Sequence, residues 1–328
     1  MQKTFCFLFL ASIVFISCKN SSEKKTDDKK PSIVDANFIL KTPTGNIEGS
    51  LLVPVSDQPV SCVLIIPGSG PTDRNGNNKM GLSTDTYKMI ADSLYAHGIA
   101  SLRFDKRGIG KSASAMKSEN EILFETYIDD AKKLIDSLKH DSRFSAVIVA
   151  GHSEGSLIGM VACETDNANG FISLSGAGES IDKIIYWQIK NSRDSVLAPM
   201  AKSIFTKLKQ GKLEPNVPKE LASIFRLSVQ PYMISWMKFN PAEEIKKVKI
   251  PILIIQGTTD IQVTVNEAKN LSEAKPDATL LMIDNMNHTL KSCSSFNQND
   301  QNPTYTNPKL VLHPKLIPAI ENFISSLK

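Results

Sequence analysis

Residues 147–156 read VIVAGHSEGS, and this stretch decides the fold. Its apolar, largely β-branched start is typical of a buried strand, and the run stops at Gly151. Ser153 then stands between Gly151 and Gly155, where a larger side chain would crowd a tight turn. The spacing G-x-S-x-G directly after a strand predicts a strand–turn–helix unit that holds the hydroxyl of Ser153 out of the sheet.

Alternating strand and helix patterns surround this stretch. Predicted strands cover residues 61–67, 99–104, 146–150, 171–175, 251–256 and 279–283, and predicted helices cover residues 86–97, 122–139, 153–163, 265–274 and 314–327. Such alternation predicts a fold of the α/β class, with a mostly parallel central sheet and helices on both faces. Upstream, the turn TPTGN at residues 42–46 separates two further strand patterns and predicts an N-terminal β-hairpin.

A helix-rich segment at about residues 179–249 interrupts the alternation between two predicted strands. Because of that position, we expect an inserted helical cap and not a separate domain. One helical face of the segment carries Tyr232, Trp236 and Phe239. This face either packs the cap onto the sheet or lines a pocket, and the sequence leaves both alternatives open.

Composition and charge are those of an ordinary globular protein. The 328 residues are 41% hydrophobic and 22% charged, with a net charge of +4. Residues 1–30 carry +3 of that charge, from six lysines against three acidic residues, which leaves +1 for the rest of the chain. A nearly neutral body lacks the basic surface of a nucleic-acid binder, so no nucleic-acid partner is expected.

The N-terminus has the pattern of an export signal. Lys3 precedes an apolar run over residues 5–16, which is too short to span a bilayer as an ordinary helix, and Ser17 and Cys18 follow. A small residue directly before a cysteine resembles the lipobox of bacterial lipoproteins. The resemblance implies cleavage before Cys18 and lipidation of its thiol and amine, and a plain signal peptide cleaved nearby is the alternative.

These features divide the chain into three parts. We predict a lipoprotein signal peptide at residues 1–18, a flexible polar tether at residues 19–32 and an α/β domain at residues 33–328. The expected product is exported and anchored by its lipid to a bacterial membrane, on the periplasmic side or at the cell surface.

The cysteines of the body have no spacing typical of a metal site; they are Cys62, Cys163 and Cys293. The first two lie within apolar patterns and are expected to be small buried hydrophobic residues. Neither CxxC nor HExxH occurs, so we predict neither a metal nor a cofactor for the chemistry at Ser153.

A serine hydroxyl needs a base to become a nucleophile, and the base needs an acid to orient it. His288 follows a predicted strand in the sequence NMNH, and Asp260 follows another in the sequence GTTD. Both residues stand at the carboxyl ends of parallel strands, where open α/β sheets place their sites, and so does Ser153. The sequence therefore predicts a catalytic group of Ser153, His288 and Asp260, with Glu179 as an alternative acid.

The loop after the strand at residues 61–67 is rich in glycine and reads PGSGPTDRNGN over residues 67–77. Glycines allow the backbone to approach a ligand closely. We predict that the backbone N–H of Ser69, by its position after Gly68, and that of Glu154 together form an oxyanion hole.

These segments resemble the α/β-hydrolase superfamily, and within it bacterial serine esterases of the prolyl-oligopeptidase-like and dienelactone-hydrolase-like branches. The matching segments are PGSGPTDRNGN (67–77), DKRGIGKS (105–112), GHSEG (151–155), GTTD (257–260) and NHTLK (287–291). The order serine, acid, histidine along the chain is also that of the superfamily. Pro67 stands where the family usually has a histidine, and the DKRGIGKS loop is interpreted as structural.

The resemblance implies a serine carboxylesterase that hydrolyses small to medium acyl esters through an acyl-enzyme. Its expected partner is a small-molecule ester, besides the membrane that holds the lipid anchor. A serine peptidase or thioesterase of the same fold is the close alternative, because the triad does not choose the leaving group. A non-catalytic binding lipoprotein is the alternative from another class, since fold does not determine function.

Overall fold

The computed structural model describes residues 35–165, 168–192 and 195–327. The predicted signal peptide (1–18), the tether (19–32) and the lipidation site Cys18 lie outside the described residues.

Within the described residues, eight strands form one sheet. They are β1 (Ala36–Thr42), β2 (Gly45–Leu52), β3 (Val60–Ile66), β4 (Ala100–Phe104), β5 (Phe144–His152), β6 (Gly170–Leu174), β7 (Ile252–Gly257) and β8 (Thr279–Ile283). Their spatial order is β1-β2-β4-β3-β5-β6-β7-β8. Strand β2 is antiparallel to both neighbours, and β3 to β8 are parallel, so the predicted hairpin and the predicted parallel sheet are confirmed.

Helices cover both faces of this sheet. They are α1 (Thr86–Ala96), α2 (Phe124–Lys139), α3 (Glu154–Ala162), α4 (Ile181–Lys190), α5 (Ala198–Lys209), α6 (Ala222–Phe225), α7 (Gln230–Trp236), α8 (Pro241–Glu244), α9 (Val265–Ala274), α10 (Gln298–Thr306) and α11 (Leu316–Ser326). Helices α2, α3 and α9 pack on one face, and α1 and α11 pack on the other.

Successive side chains along each strand point to opposite faces of the sheet, and this explains why there is one hydrophobic core on each face. In β3, Cys62 and Leu64 join the core on the face of α2, while Val63 and Ile65 join the core on the face of α1. A strand that is buried on both faces needs a continuous apolar run, which β3 and β7 both have. Cys62 and Cys163 are buried free thiols, as predicted.

Helix α10 was not predicted, because its sequence QNDQNPTYT has no apolar period and carries Pro303 inside. Polar contacts hold it instead. The buried amide of Gln301 accepts a hydrogen bond from Asn287 and donates to the backbone oxygens of Thr259 and Ser295, at 2.7–2.8 Å. These contacts fix α10 beside the loops that follow β7 and β8.

Between β6 and β7 the chain forms helices α4 to α8, and this segment packs on α2 through aromatic rings. Phe124 is fully buried, stacks on Trp236 with ring centroids 5.3 Å apart, and also contacts Tyr232 and Phe239. The aromatic face of the segment thus packs it onto the body. In the described parts of the chain, no helix is long and apolar enough to cross a membrane.

We expect Phe124→Ala to lower the free energy of unfolding by about 3–5 kcal/mol, because it removes a buried ring that contacts three other aromatic side chains. Urea denaturation measures this loss. Phe296→Ala is the matched control, since Phe296 is 67% exposed and its loss should change stability by less than about 0.5 kcal/mol. Equal effects of the two substitutions would contradict the packing role of Phe124.

Candidate active site

Ser153 lies at the turn between β5 and α3 with φ 54° and ψ −119°. A non-glycine residue in such a conformation is strained by about 1–3 kcal/mol and persists only where its surroundings hold it. The Ser153 N–H donates to the oxygen of Leu174 at 2.9 Å, which ties the turn to β6. The turn is therefore held by the sheet and presents the serine at the carboxyl edge of the strands.

The two glycines beside Ser153 are required by close backbone approach. A Cβ on Gly151 would lie 2.1 Å from the oxygen of Gly155, and a Cβ on Gly155 would lie 2.3 Å from the oxygen of Ile66. Either contact is far below a van der Waals distance, so G-x-S-x-G has a steric cause here.

His288 and Asp260 form a buried pair. Nδ1 of His288 lies 2.7 Å from Oδ2 of Asp260, and the other carboxylate oxygen accepts from the N–H groups of Gln262 and Val263 at 2.8 and 2.9 Å. Burial opposes ionisation of Asp260, but the charge of His288 and these hydrogen bonds outweigh it and hold the pKa of Asp260 below its ordinary value. The aspartate stays ionised and can orient the imidazole.

Ser153 and His288 line the same small cavity of about 100 Å³. The alternative acid, Glu179, instead accepts a hydrogen bond from Lys183 at 2.9 Å. It lines a larger cavity, which His288 does not line. The structure therefore brings Ser153, His288 and Asp260 to one site and leaves Glu179 outside it.

His152, beside the serine, has a separate position. Its Nε2 lies 2.8 Å from the backbone oxygen of His288, and its Nδ1 lies 2.8 Å from the Tyr87 hydroxyl, which accepts from the Gly68 N–H at 2.9 Å. This pattern fits a neutral ring that donates from Nε2 and accepts at Nδ1. His152 and Tyr87 thus connect the loop of His288 to the glycine-rich loop after β3.

A buried ion pair connects the same glycine-rich loop to α3. Nζ of Lys106 donates to Oε2 of Glu154 at 2.6 Å and to the oxygen of Gly68 at 2.8 Å, and the side chains of Lys106 and Glu154 are each 2% exposed. The hydroxyl of Tyr232, in α7, donates to the other Glu154 oxygen at 2.6 Å.

The interpretation of the DKRGIGKS loop as structural holds for two of its charged residues, since Asp105 pairs with Arg74 and Arg107 pairs with Asp130. It is incomplete for Lys106, which reaches the turn of Ser153 through Glu154. The sequence contained one weak indication of this contact: Lys106 stands between Asp105 and Arg107, directly after a predicted strand.

Two cavities in the described structure meet at Ser153. The large one has a volume of about 690 Å³ and is lined mainly by apolar side chains of the body and of helices α4, α6, α7 and α8, among them Leu157, Ile184, Met233, Tyr232 and Trp236. The aromatic face of the inserted segment therefore both packs on α2 and lines a pocket.

The described residues contain no group of histidine, cysteine, aspartate or glutamate side chains that could hold a metal ion.

We expect the stability of the protein to depend on His152 below pH 6.5. Burial, and next the charge of His288, lower the pKa of His152 from 6.5 to about 3. A base whose pKa falls on folding stabilises the native state fully above its unfolded pKa and loses that contribution as the pH falls toward the folded pKa. Between pH 7 and pH 5 the loss should be roughly 2 kcal/mol.

Urea denaturation at both pH values, compared with His152→Gln, measures this dependence. Glutamine cannot ionise, so the variant should lose roughly 2 kcal/mol less than the unaltered protein between pH 7 and pH 5. The same loss in both proteins would show that His152 is not kept neutral by the fold.

Known proteins resemble this chain in sequence and in fold. Residues 78–226 match the family described as serine aminopeptidase, S33. Esterase EstD of Thermotoga maritima is 28% identical to this chain over 283 residues, which cover 82% of this chain and 64% of that protein. The chain thus spans less than two thirds of the length of this relative.

Solved structures share the fold. Est1E from Butyrivibrio proteoclasticus, with ferulic acid bound, superposes with a TM-score of 0.59 at 18% identity over 88% of this chain and 98% of that chain. An esterase of Pyrococcus furiosus gives a TM-score of 0.59 at 17% identity over 90% of this chain and 92% of that chain. With its mostly parallel sheet and the serine turn after β5, the chain has the α/β-hydrolase fold, and its sequence is similar to that of an esterase.

Proposed function

We propose that the protein is a serine carboxylesterase in which Ser153 attacks an ester carbonyl, His288 takes the serine proton and Asp260 orients the imidazole. The observation that carries the proposal is the 2.7 Å contact between His288 Nδ1 and Asp260 in a site that the strained Ser153 shares. The similarity to esterases supports the same activity.

Backbone N–H groups of Ser69 and Glu154 stabilise the oxyanion in this proposal. The N–H of Gly68 is taken by the Tyr87 hydroxyl, so the next N–H, that of Ser69, is the donor available beside Ser153. Glu154 is the first residue of α3, and its N–H lies at the positive end of the helix dipole. One such donor contributes about 2.7–4 kcal/mol to the transition state.

Lys106 supports this oxyanion hole through the peptide group between Gly68 and Ser69. It binds the oxygen of Gly68, which belongs to the same peptide group as the N–H of Ser69. Because C=O and N–H point in opposite directions in a trans peptide, the lysine fixes the direction of the Ser69 donor and polarises it. Its partner Glu154 supplies the second donor, so the ion pair positions both.

The reaction proceeds in two steps. Attack by Ser153 forms a tetrahedral intermediate that expels the alcohol, which takes a proton from His288, and leaves an acyl-enzyme. Water, activated by the same histidine, then hydrolyses the acyl-enzyme and restores the serine.

The large apolar cavity supports an acyl group of small to medium size as the part of the substrate that it binds. Its volume of about 690 Å³ lies within the range of small-molecule sites. Ferulic acid in Est1E is a small aromatic acid bound by a protein of the same fold.

A serine peptidase is the second candidate, because the matching family is one of serine aminopeptidases. An aminopeptidase needs an unpaired carboxylate for the terminal amine of its substrate. The acidic residues that line the large cavity in the described structure are Glu119, Glu154 and Glu179, and each pairs with a cation, Arg226, Lys106 or Lys183. We therefore favour the ester over the peptide.

We expect Ser153→Ala to lower kcat on p-nitrophenyl acyl esters by roughly 10⁴-fold or more, and Asp260→Asn to lower it by about as much. A panel of rising acyl length measures turnover and sizes the large cavity. Ser326→Ala, far along the chain in α11, is the control and should keep full activity. An active Ser153→Ala would overturn the mechanism, and labelling of the intact protein by a fluorophosphonate without ester turnover would favour the peptidase.

We expect Lys106→Met to lower kcat by roughly 10–100-fold, because the donor at Ser69 is no longer held. The single variant also leaves Glu154 buried and unpaired, at a cost of about 3–5 kcal/mol in stability. The double variant Lys106→Met/Glu154→Gln removes that unpaired charge and separates the two effects.

The double variant should regain most of the lost stability, measured by urea denaturation, but not the lost kcat. Recovery of kcat together with stability would show that Lys106 acts through charge balance alone and does not position the Gly68–Ser69 peptide.

A further inference from the structure

The two cavities at Ser153 differ in what lines them. Both are lined by Ser69, Ser153 and Gln262. His288 lines the small cavity and not the large one, whereas Glu154 lines the large cavity and not the small one. The substrate carbonyl at Ser153 therefore has a histidine side and an apolar side.

The chemistry of ester cleavage assigns the two sides. When the tetrahedral intermediate collapses, the bond between the carbonyl carbon and the alcohol oxygen breaks, and that oxygen takes the proton from His288. The acyl carbon stays bonded to the serine oxygen, so atoms and charge balance with no other reactant. The alcohol oxygen must consequently lie on the histidine side.

We propose that the small cavity is the binding site for the alcohol part of the substrate and that it selects a short polyol such as glycerol. This inference rests on the proposed esterase function. The acyl chain then occupies the large apolar cavity, and the substrate is an ester of a hydrophobic acid with a small hydroxylated alcohol.

Six residues with hydroxyl groups, besides Ser69 and Ser153, line the small cavity. They are Thr72, Thr84, Thr86, Thr289, Tyr87 and Tyr305. The four threonine hydroxyls donate within the protein, to the oxygens of Ser69, Gly76, Thr289 and Asn287. Since each proton is already used, these groups can offer a ligand only lone pairs, which suit the hydroxyl donors of a polyol.

Tyr305 supplies the complementary donor. Its hydroxyl accepts from the amide of Gln262 at 2.9 Å, which leaves the phenolic proton for a ligand. Burial raises the pKa of Tyr305 above its ordinary value, so the hydroxyl stays protonated. Gln262 borders both cavities and Tyr305 borders the small one, so this donor lies on the histidine side.

The size of the cavity limits the alcohol. Its volume of about 100 Å³ is far below the 690 Å³ of the large cavity, so the small cavity suits a small alcohol. A three-carbon polyol matches that space, whereas an alkyl chain of six carbons is longer and leaves the threonine and tyrosine oxygens without partners.

Esters that share one acyl group test the assignment. For the intact protein, we expect kcat/KM to be about tenfold higher for glycerol monodecanoate than for hexyl decanoate. Tyr305→Phe should lower kcat/KM for the glycerol ester by about tenfold, the value of one hydrogen bond, and leave that for methyl decanoate unchanged. Met233→Ala, in the wall of the large cavity, is the matched control and should affect all decanoyl esters alike.

A second measurement needs no substitution. During turnover of p-nitrophenyl decanoate, glycerol should capture the acyl-enzyme to form glycerol monodecanoate several-fold more often than 1-propanol does at equal concentration.

Equal loss on glycerol and methyl esters in Tyr305→Phe, or equal capture by the two alcohols, would overturn the polyol site while leaving the esterase intact. Failure to hydrolyse the decanoyl esters and every ester of the p-nitrophenyl panel would instead reject the esterase itself, so the two failures are distinguishable.

Discussion

The site depends on one buried ion pair, between Lys106 and Glu154. Two charges that are each 2% exposed are stable only when they are paired and their remaining hydrogen-bonding positions are filled. Here Gly68 and Tyr232 fill them, and the Lys106 ammonium also lies 5.1 Å from the centroid of the Tyr127 ring. The pair thus holds together the glycine-rich loop, the start of α3 and the inserted helices. None of these can shift without exposing a charge to an apolar interior.

A second constraint holds the serine itself. Its positive φ is strained, and the surroundings determine it from several directions. The glycines Gly151 and Gly155 let backbone segments approach within distances that no Cβ would allow, and the Ser153 N–H is bonded to β6. The neighbouring residue, His152, is hydrogen-bonded through Nε2 to the backbone oxygen of His288. The strained conformation of Ser153 is therefore held by the edge of the sheet and not by a loop.

The sequence predicted the parts that have a local signature. Strands buried on both faces show as continuous apolar runs, and the turn at Ser153 shows as glycines at fixed spacing, so the sheet and the serine turn could be read directly. Helix α10 could not, because polar contacts of Gln301 replace an apolar period. The contacts of Lys106 with Glu154 and of Tyr87 with His152 were also missed. They join residues 48 and 65 positions apart, and no periodicity records such a pairing.

The alternatives left open for the aromatic face of residues 232–239 turned out not to exclude each other. Trp236 stacks one face of its ring on Phe124 and still lines the large cavity, as Tyr232 does. One set of side chains therefore both attaches the inserted helices and shapes the space for a ligand. By contrast, the serine, the histidine and the aspartate all follow strands of the sheet. The proposed catalytic residues thus lie in different segments from the inserted helices that help to line the large cavity, and the hydroxyl of Tyr232 on Glu154 joins the two parts. A change in the inserted helices can alter the cavity without moving the serine, provided that this hydrogen bond persists.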